Sequence, residues 1–248
     1  MDKLKKSREN RAIEQYNLDI QEMNGYIYTG NRVKKSMDIF NNRASLAIEK
    51  LVTIEGMSVI DIGSADGTFS VELFTRMKAS SVVGVEPSNA WLLAREKYAD
   101  FAPDVQFYCG SAYDLKFPDK HFDLSIMRGV FHHLDDPLLG LKEMFRVSKN
   151  VFLLEPNGYN PIIKLLERFS TYHRIHQEKS YSPARLREWM KSMGGQFAGE
   201  SFSSLVPLMC PDSMALFLDW LSPKWEILPL LPQISCGLYC VYFTQSKP

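Results

Sequence analysis

Hydrophobic positions follow two different patterns along the chain. Over residues 7–22 and 36–51, apolar side chains recur among charged ones at helical spacing, which predicts two amphipathic helices. From Met57 to Pro156, short apolar runs alternate with longer amphipathic stretches. That alternation is typical of a parallel sheet with helices on both faces. The pattern therefore predicts an N-terminal helical lid over residues 1–54 and an α/β domain over residues 55–248.

The remainder of the chain is less regular. Residues 157–195 are more polar and helical, which predicts a helical insertion or cap after the fifth strand. A β-like segment near residues 196–205, a helical piece near 213–221 and a final strand near 236–244 follow.

Residues 227–246 contain no charged side chain over a length that spans a bilayer. Pro229 and Pro232 would break a helix there, and the segment GLYCVYF is typical of a strand. We therefore expect no stable membrane insertion. An apolar set nearby is expected to lie in the core or a homodimer interface, with a greasy acceptor or brief membrane contact as the alternative: Met209, Met214, Leu216, Phe217, Trp220, Leu221, Trp225 and Leu228.

Composition narrows the class of function. The chain has 248 residues, 45% hydrophobic and 23% charged, so it can bury a normal core. Its 29 basic and 29 acidic side chains balance, which argues against a nucleic-acid partner. The four cysteines are scattered without a C-x-x-C pair, which fits a reducing compartment. The N-terminal MDKLKKSRENR has no apolar stretch after it, so we expect a cytoplasmic protein.

The strongest chemical signal is VIDIGSADGTF at residues 59–69, which predicts a strand, a small-residue turn and a helix. Gly63 and Gly67 lack a Cβ, so the turn can bend sharply and a ligand can approach the backbone. The second strand ends at Glu86, where a carboxylate can accept hydrogen bonds from both hydroxyls of a ribose. Thr68 stands where a dinucleotide fingerprint requires its third small residue, so that match fails.

The spacing of Asp61, Gly63, Ala65 and Gly67 resembles the first motif of the class I S-adenosylmethionine-dependent methyltransferases, with Ala65 in place of the middle glycine. VEPS at residues 85–88 resembles the second motif. GSAYDL at 110–115 resembles the third, although Ser111 stands where the family usually has aspartate. MRGVFHHLDDP at 127–137 is similar to the signature of the type-11, UbiE-like branch, which acts on small molecules.

The resemblance implies a Rossmann-like, seven-stranded, mostly parallel sheet with an antiparallel last strand, and S-adenosylmethionine (SAM) as the cofactor. It further implies that Tyr28 and Arg32 close over the cofactor, although simple packing explains them equally well. The other residues implied to hold the cofactor lie at successive strand ends: Asp61, Gly63, Ser64, Gly67, Glu86, Pro87, Ser88, Ser111, Ala112, Tyr113 and Arg128.

His132 and His133 follow the fourth strand and are candidate bases. Either can accept a hydroxyl proton as the oxygen attacks the sulfonium methyl group. The alternative is that one bonds the helix entry and the other packs beside the cofactor. No standard ligand spacing surrounds them, so we expect no metal.

Candidate acceptor-binding residues follow the fifth strand. Asn157, Tyr159 and Asn160 line an acceptor pocket or form a plain Asn-Gly turn. His176 lies in a basic stretch that is either a solvated face or a cover favouring an anionic acceptor. We expect methyl transfer to a small-molecule or glycan acceptor at oxygen, with nitrogen and carbon open. The alternatives are a nicotinamide-dependent oxidoreductase and a non-catalytic SAM-binding interaction module.

Overall fold

The computed structural model describes residues 8–23, 34–170 and 179–245. The strands are β1 (Ser58–Ile62), β2 (Ser81–Glu86), β3 (Val105–Cys109), β4 (Phe122–Arg128), β5 (Ser148–Pro156), β6 (Gly195–Ser203) and β7 (Leu238–Gln245). The helices in the described ranges are α1 (Arg8–Met23), α2 (Lys35–Leu51), α3 (Thr68–Thr75), α4 (Ala90–Tyr98), α5 (Pro137–Val147), α6 (Pro161–Phe169), α7 (Pro183–Ser192), α8 (Asp212–Trp225) and α9 (Leu231–Ser235).

The strands form one sheet in the order β3-β2-β1-β4-β5-β7-β6. The first five strands pair in parallel, and β7 is antiparallel to both β5 and β6. This arrangement confirms the predicted α/β fold with an antiparallel last strand. The chain order reverses between β1 and β4, which leaves a crevice at their carboxyl ends, where open α/β sheets bind ligands.

The core lies on both faces of this sheet, because successive side chains of a strand point to opposite sides. Val59 of β1 packs with Ile48 of α2 on one face. Ile60, its neighbour, packs with Leu141 of α5 on the other. All four side chains are fully buried, which explains why the strands read as continuous apolar runs.

The two N-terminal helices differ in their packing. α2 contacts β6, β7 and α8, and its Ala44 and Ile48 are fully buried in the core. α1 lies against the 3₁₀ turn Phe131–His133 at the carboxyl end of the sheet. Only α1 therefore has the position of a lid, and the division at residue 54 stays a prediction.

The predicted insertion at residues 157–195 contains two helices of different character. Leu186 and Met190 of α7 are fully buried in the core, and α7 packs on β6 and β7. α7 is thus one of the layers of the domain. By contrast, every residue of α6, all of them described, is at least partly exposed.

The uncharged C-terminal stretch contains β7, as predicted, with Leu238 to Val241 buried in the sheet. Among the described residues, no helix is both long and apolar enough to cross a membrane.

Candidate active site

A cleft of ≈ 230 Å³ lies at the carboxyl ends of β1, β4 and β5. Acidic, basic and imidazole side chains line it together with apolar ones. The charged and imidazole members are Asp61, Asp66, Glu72, Arg128, His132 and His133. The cleft thus lies at the predicted position, at the reversal of strand order.

The turn after β1 depends on its small residues. Gly63 has φ +81°, and a Cβ there would overlap the side chain of Val130. Gly67 has φ +76°, and its Cβ would come within 2.5 Å of Phe107 Cζ. The space at these glycines is thus needed for protein packing as well as for a ligand. Ala65, which replaces the family's middle glycine, has φ 48°, a left-handed conformation that costs about 1–2 kcal/mol for a residue with a Cβ.

Asp61 lies buried at the end of β1. Its carboxylate accepts a hydrogen bond of 2.6 Å from the Ser70 hydroxyl. Burial raises the pKa of Asp61 to about 6, while this hydrogen bond and the nearby Arg128 lower it. The carboxylate is therefore ionised at neutral pH and can accept hydrogen bonds from a cationic amino group.

Glu86 lies buried at the end of β2. Its carboxylate accepts hydrogen bonds from the backbone N–H of Ser88 at 2.9 Å and of Ala65 at 3.1 Å. Burial raises the pKa of Glu86, and these donors oppose that shift. The Ser88 hydroxyl also accepts a hydrogen bond from the Ala90 N–H at the start of α4. Pro87, between Glu86 and Ser88, is half-buried. Glu86 thus joins the glycine turn to the second strand, beside the predicted ribose position.

The loop after β3 is held by its own side chains. Ser111 Oγ accepts a hydrogen bond of 3.2 Å from the Tyr113 N–H, and Ala112 is buried. The Tyr113 hydroxyl accepts hydrogen bonds from the N–H groups of Asp135 and Asp136. These contacts join the loops after β3 and β4. That Ser111, Ala112 and Tyr113 contact the cofactor stays a prediction.

Arg128 points from the end of β4 toward α2. Its guanidinium donates a 2.8 Å hydrogen bond to Asn41 Oδ1 and lies 4.5 Å from the ring centre of Phe69. The side chain thus braces α2 against the wall of the cleft.

The two histidines have different partners. Nδ1 of His132 lies 2.7 Å from Oε2 of Glu155, both side chains being buried. Nε2 of His133 lies 3.1 Å from the hydroxyl of Tyr16 on α1. His132 therefore faces the end of β5, and His133 joins the 3₁₀ turn to α1.

Glu155 organises the loop after β4. Its carboxylate also accepts hydrogen bonds from the N–H groups of Val130, Phe131 and His132, at 3.0–3.1 Å. Burial raises the pKa of Glu155 to about 8, and the three backbone donors lower it. When this carboxyl is ionised, His132 donates to it from Nδ1, which leaves Nε2 as the basic nitrogen.

The sequence did not reveal Glu155 or Tyr16 as site residues. The available signal for Glu155 was its position: it is an acidic side chain near the end of a buried strand, and the strand before it in the chain leads to the two histidines. Tyr16 gave no signal, because its contact with His133 joins residues 117 positions apart.

The predicted acceptor residues lie mainly in a turn. The Asn157 amide donates to the carbonyls of Gln233 and Cys236, and the Asn160 amide donates to that of Ser235. Both asparagine side chains are buried and hold this turn, and their role in acceptor binding stays a prediction.

The hydroxyl of Tyr159 accepts a hydrogen bond from the Ala184 N–H, which ties the same turn to α7. Tyr28, Arg32 and His176 lie outside the described residues.

The residues present fit SAM. Ser64 Oγ is buried at the glycine turn and has no hydrogen-bond partner within the described part of the chain. Carboxylates predominate around it, with Asp61, Asp66 and Glu72 in the cleft and Glu86 beside it. This charge suits a ligand that carries a cationic amino group and a sulfonium. Across residues 8–23, 34–170 and 179–245, no group of His, Cys, Asp or Glu is arranged to hold a metal ion.

Comparisons with known proteins agree with this assignment. Residues 60–153 match the type-11 methyltransferase domain family. An uncharacterized methyltransferase of Schizosaccharomyces pombe is 34% identical over 113 residues, which cover 41% of this chain and 37% of the relative. The ubiquinone/menaquinone biosynthesis C-methyltransferase UbiE of Vibrio vulnificus is 27% identical over 157 residues, which cover 56% of this chain and 60% of the relative.

Among solved structures, the magnesium protoporphyrin IX methyltransferase of Synechocystis PCC 6803 with bound SAM has the same fold, with a TM-score of 0.67, 12% identity and coverage of 99% of this chain and 100% of the other. In the sequence comparison, by contrast, the chain spans about half or less of the length of the first curated relatives that it matches. Residues 60–153 thus form a methyltransferase domain of the type-11, UbiE-like group, and the chain has the fold of the class I SAM-dependent methyltransferases.

Proposed function

We propose that the chain transfers a methyl group from SAM to a hydroxyl oxygen of a small-molecule acceptor in the cleft. The observation that carries this proposal is the His132–Glu155 pair, which sets a basic imidazole nitrogen at the cleft wall. SAM, when bound, supplies a methyl group on a sulfonium whose departure as a neutral thioether needs little chemical assistance. The protein therefore has to position the nucleophile and take up its proton.

Residues at the carboxyl ends of β1 and β2 would bind the cofactor. Asp61, ionised at neutral pH, would hold the amino group, and Ser64 would offer its unpaired hydroxyl. Glu86 would accept from the ribose hydroxyls, since each of its oxygens has a lone pair beyond the backbone bond already made.

His132 would act as the general base. With Nδ1–H donated to Glu155, Nε2 accepts the hydroxyl proton as the oxygen attacks, and the buried carboxylate stabilises the imidazolium that forms. A positioned base of this kind contributes about 10²–10⁴-fold to the rate. Glu155 is buried behind His132 and does not line the cleft, so it is a positioning residue.

The lining of the cleft favours an apolar or aromatic acceptor over a glycan. Phe40, Leu154, Pro156, Leu208 and Leu238 form an apolar wall beside the histidines. Such a wall favours a hydrophobic body whose hydroxyl is directed toward the polar end. Carbon is the alternative reacting atom, because one relative is named for C-methylation in quinone biosynthesis.

The test is incubation of the protein with SAM and panels of phenols, hydroquinones, aliphatic alcohols and glycans, followed by mass spectrometry of the acceptor. We expect methylated product from a hydrophobic hydroxyl compound, with a rate reduced about 10²-fold or more in His132→Ala. His121→Ala is the matched control, because His121 is exposed and stacks on Phe117. Equal rates in His132→Ala and wild type would contradict a base at His132.

A further inference from the structure

An apolar face lies on one side of the domain, and we define it as α6, α8 and residues 226–234. α6 carries large aliphatic and aromatic side chains but buries none of them, and Phe169 is 67% exposed. Phe217 and Trp220 of α8 are more than half exposed, and Ile227 is 77% exposed. Contiguous exposed apolar surface of this kind marks a binding surface more often than it occurs by chance.

The apolar face adjoins the mouth of the cleft. Three residues of the apolar cleft wall are close in sequence to the elements of this face. They are Pro156 shortly before α6, Leu208 shortly before α8 and Leu238 after α9. The amide of Asn157 donates to the Gln233 carbonyl at 2.8 Å, which ties the turn before α6 to α9. The face and the cleft mouth are therefore fixed relative to each other.

Cations lie over the exposed rings of this face. Nζ of Lys224 lies 3.8 Å from the ring centre of Trp220, and the Arg168 guanidinium lies 5.5 Å from that of Phe169. Within the described residues, neither cation forms an ion pair with a carboxylate.

The acidic groups of the face are mostly engaged by protein donors. Glu167 accepts from the Ser180 N–H, Asp219 from the Arg43 guanidinium, and Glu226 from the Ser203 hydroxyl. Asp212 is an exposed exception at the far end of α8, about 18 Å from Lys224 along the helix. The charged groups that lie directly over the exposed aromatic rings are thus the cations of Lys224 and Arg168.

We propose that the apolar face docks the protein on the surface of an anionic lipid bilayer, with the mouth of the cleft directed toward the lipid. Amphipathic helices that bury their apolar side chains at the acyl boundary bind membranes in this way. Aromatic rings and the cations over them match the interfacial and headgroup layers. This docking does not depend on methyl transfer, and it fits a hydrophobic acceptor that reaches the cleft from the membrane.

Flotation tests the proposal, with the full chain mixed with vesicles of phosphatidylcholine alone or of equal parts phosphatidylcholine and phosphatidylglycerol. We expect the protein to float with the anionic vesicles. Ile227→Asp should lower the partition coefficient by more than about ten-fold, because it removes an apolar side chain from the lipid and adds a negative charge. Lys224→Gln should lower it by about five-fold on anionic vesicles only.

Phe101→Asp is the matched control, because Phe101 is 69% exposed in the α4–β3 connection, outside this face. It should float as the wild type does, and thermal denaturation checks that all variants are folded. Failure of the wild type to float, or equal flotation of Ile227→Asp, would overturn the proposal. Light scattering that shows a dimer dissociated by Ile227→Asp, without flotation, would assign the face to a second copy of the chain.

Discussion

Nδ1 of His132 and Oε2 of Glu155 lie 2.7 Å apart in a buried site that closes the carboxyl ends of β4 and β5. Three backbone N–H groups converge on the same carboxylate, so the position of the imidazole is fixed by one acidic residue. Removing that residue should therefore change proton transfer more than it changes substrate binding.

The first prediction concerns Glu155→Gln. Because burial raises the pKa of Glu155 to about 8, the His132–Glu155 pair should take up a proton as the pH falls through about 8. We expect the kcat of the wild type to fall on that acid side, since a protonated pair cannot accept a hydroxyl proton. Glu155→Gln should lower kcat by about 10²-fold or more and move this limb to lower pH. A limb that stays in place would mean that another group titrates.

The second prediction concerns Asp61. Burial raises the pKa of Asp61 to about 6, so its negative charge is present above that pH and lost below it. The affinity for SAM, measured by calorimetry, should therefore weaken as the pH falls through about 6. Asp61→Asn should weaken binding and flatten this pH dependence. Ser70→Ala removes a hydrogen bond to the carboxylate and should shift the dependence to higher pH.

The third prediction separates two roles of the glycine turn. Gly63 and Gly56 both have a left-handed φ, but only at Gly63 would a Cβ meet another side chain, that of Val130. Gly56→Ala should therefore cost about 1–2 kcal/mol of unfolding free energy from φ alone. Gly63→Ala should cost more and also weaken SAM binding. Equal losses in thermal denaturation would contradict the steric role of Val130.

The fourth prediction concerns α1 as a lid. Tyr16→Phe removes the hydroxyl that meets His133, an interaction worth about 0.5–1.5 kcal/mol. If α1 closes over bound SAM, stopped-flow dissociation should become about two- to ten-fold faster. Leu18→Ala is the control on the same helix, because Leu18 is about half exposed. An unchanged dissociation rate in Tyr16→Phe would show that α1 does not retain the cofactor.

Much of the fold was predictable because burial leaves a mark on the sequence. The strands β1, β2, β4 and β5 are apolar runs; the glycine turn follows β1 directly, and Glu86 is the last residue of β2. Amphipathic spacing also located α1 and α2 within two residues. The same spacing does not tell which surface covers each helix, and in the structure Ile48 of α2 is a core residue.

The site was less predictable where distant segments meet. Asn157 and Asn160 follow β5, and that position alone predicts an acceptor pocket. Their amides donate to carbonyls more than 70 residues downstream, at the end of α9, and no local pattern predicts those contacts. The His132–Glu155 pair likewise depends on the register of β4 against β5, where Arg128 pairs with Leu154, and no local pattern records that pairing.

The most direct test of the account is the location of the transferred methyl group by NMR, after incubation of wild-type protein with carbon-labelled SAM and a hydrophobic hydroxyl acceptor. We expect a labelled methyl group on oxygen, formed much more slowly by His132→Ala than by His121→Ala. Label on carbon or nitrogen, or no labelled acceptor despite bound SAM, would contradict it.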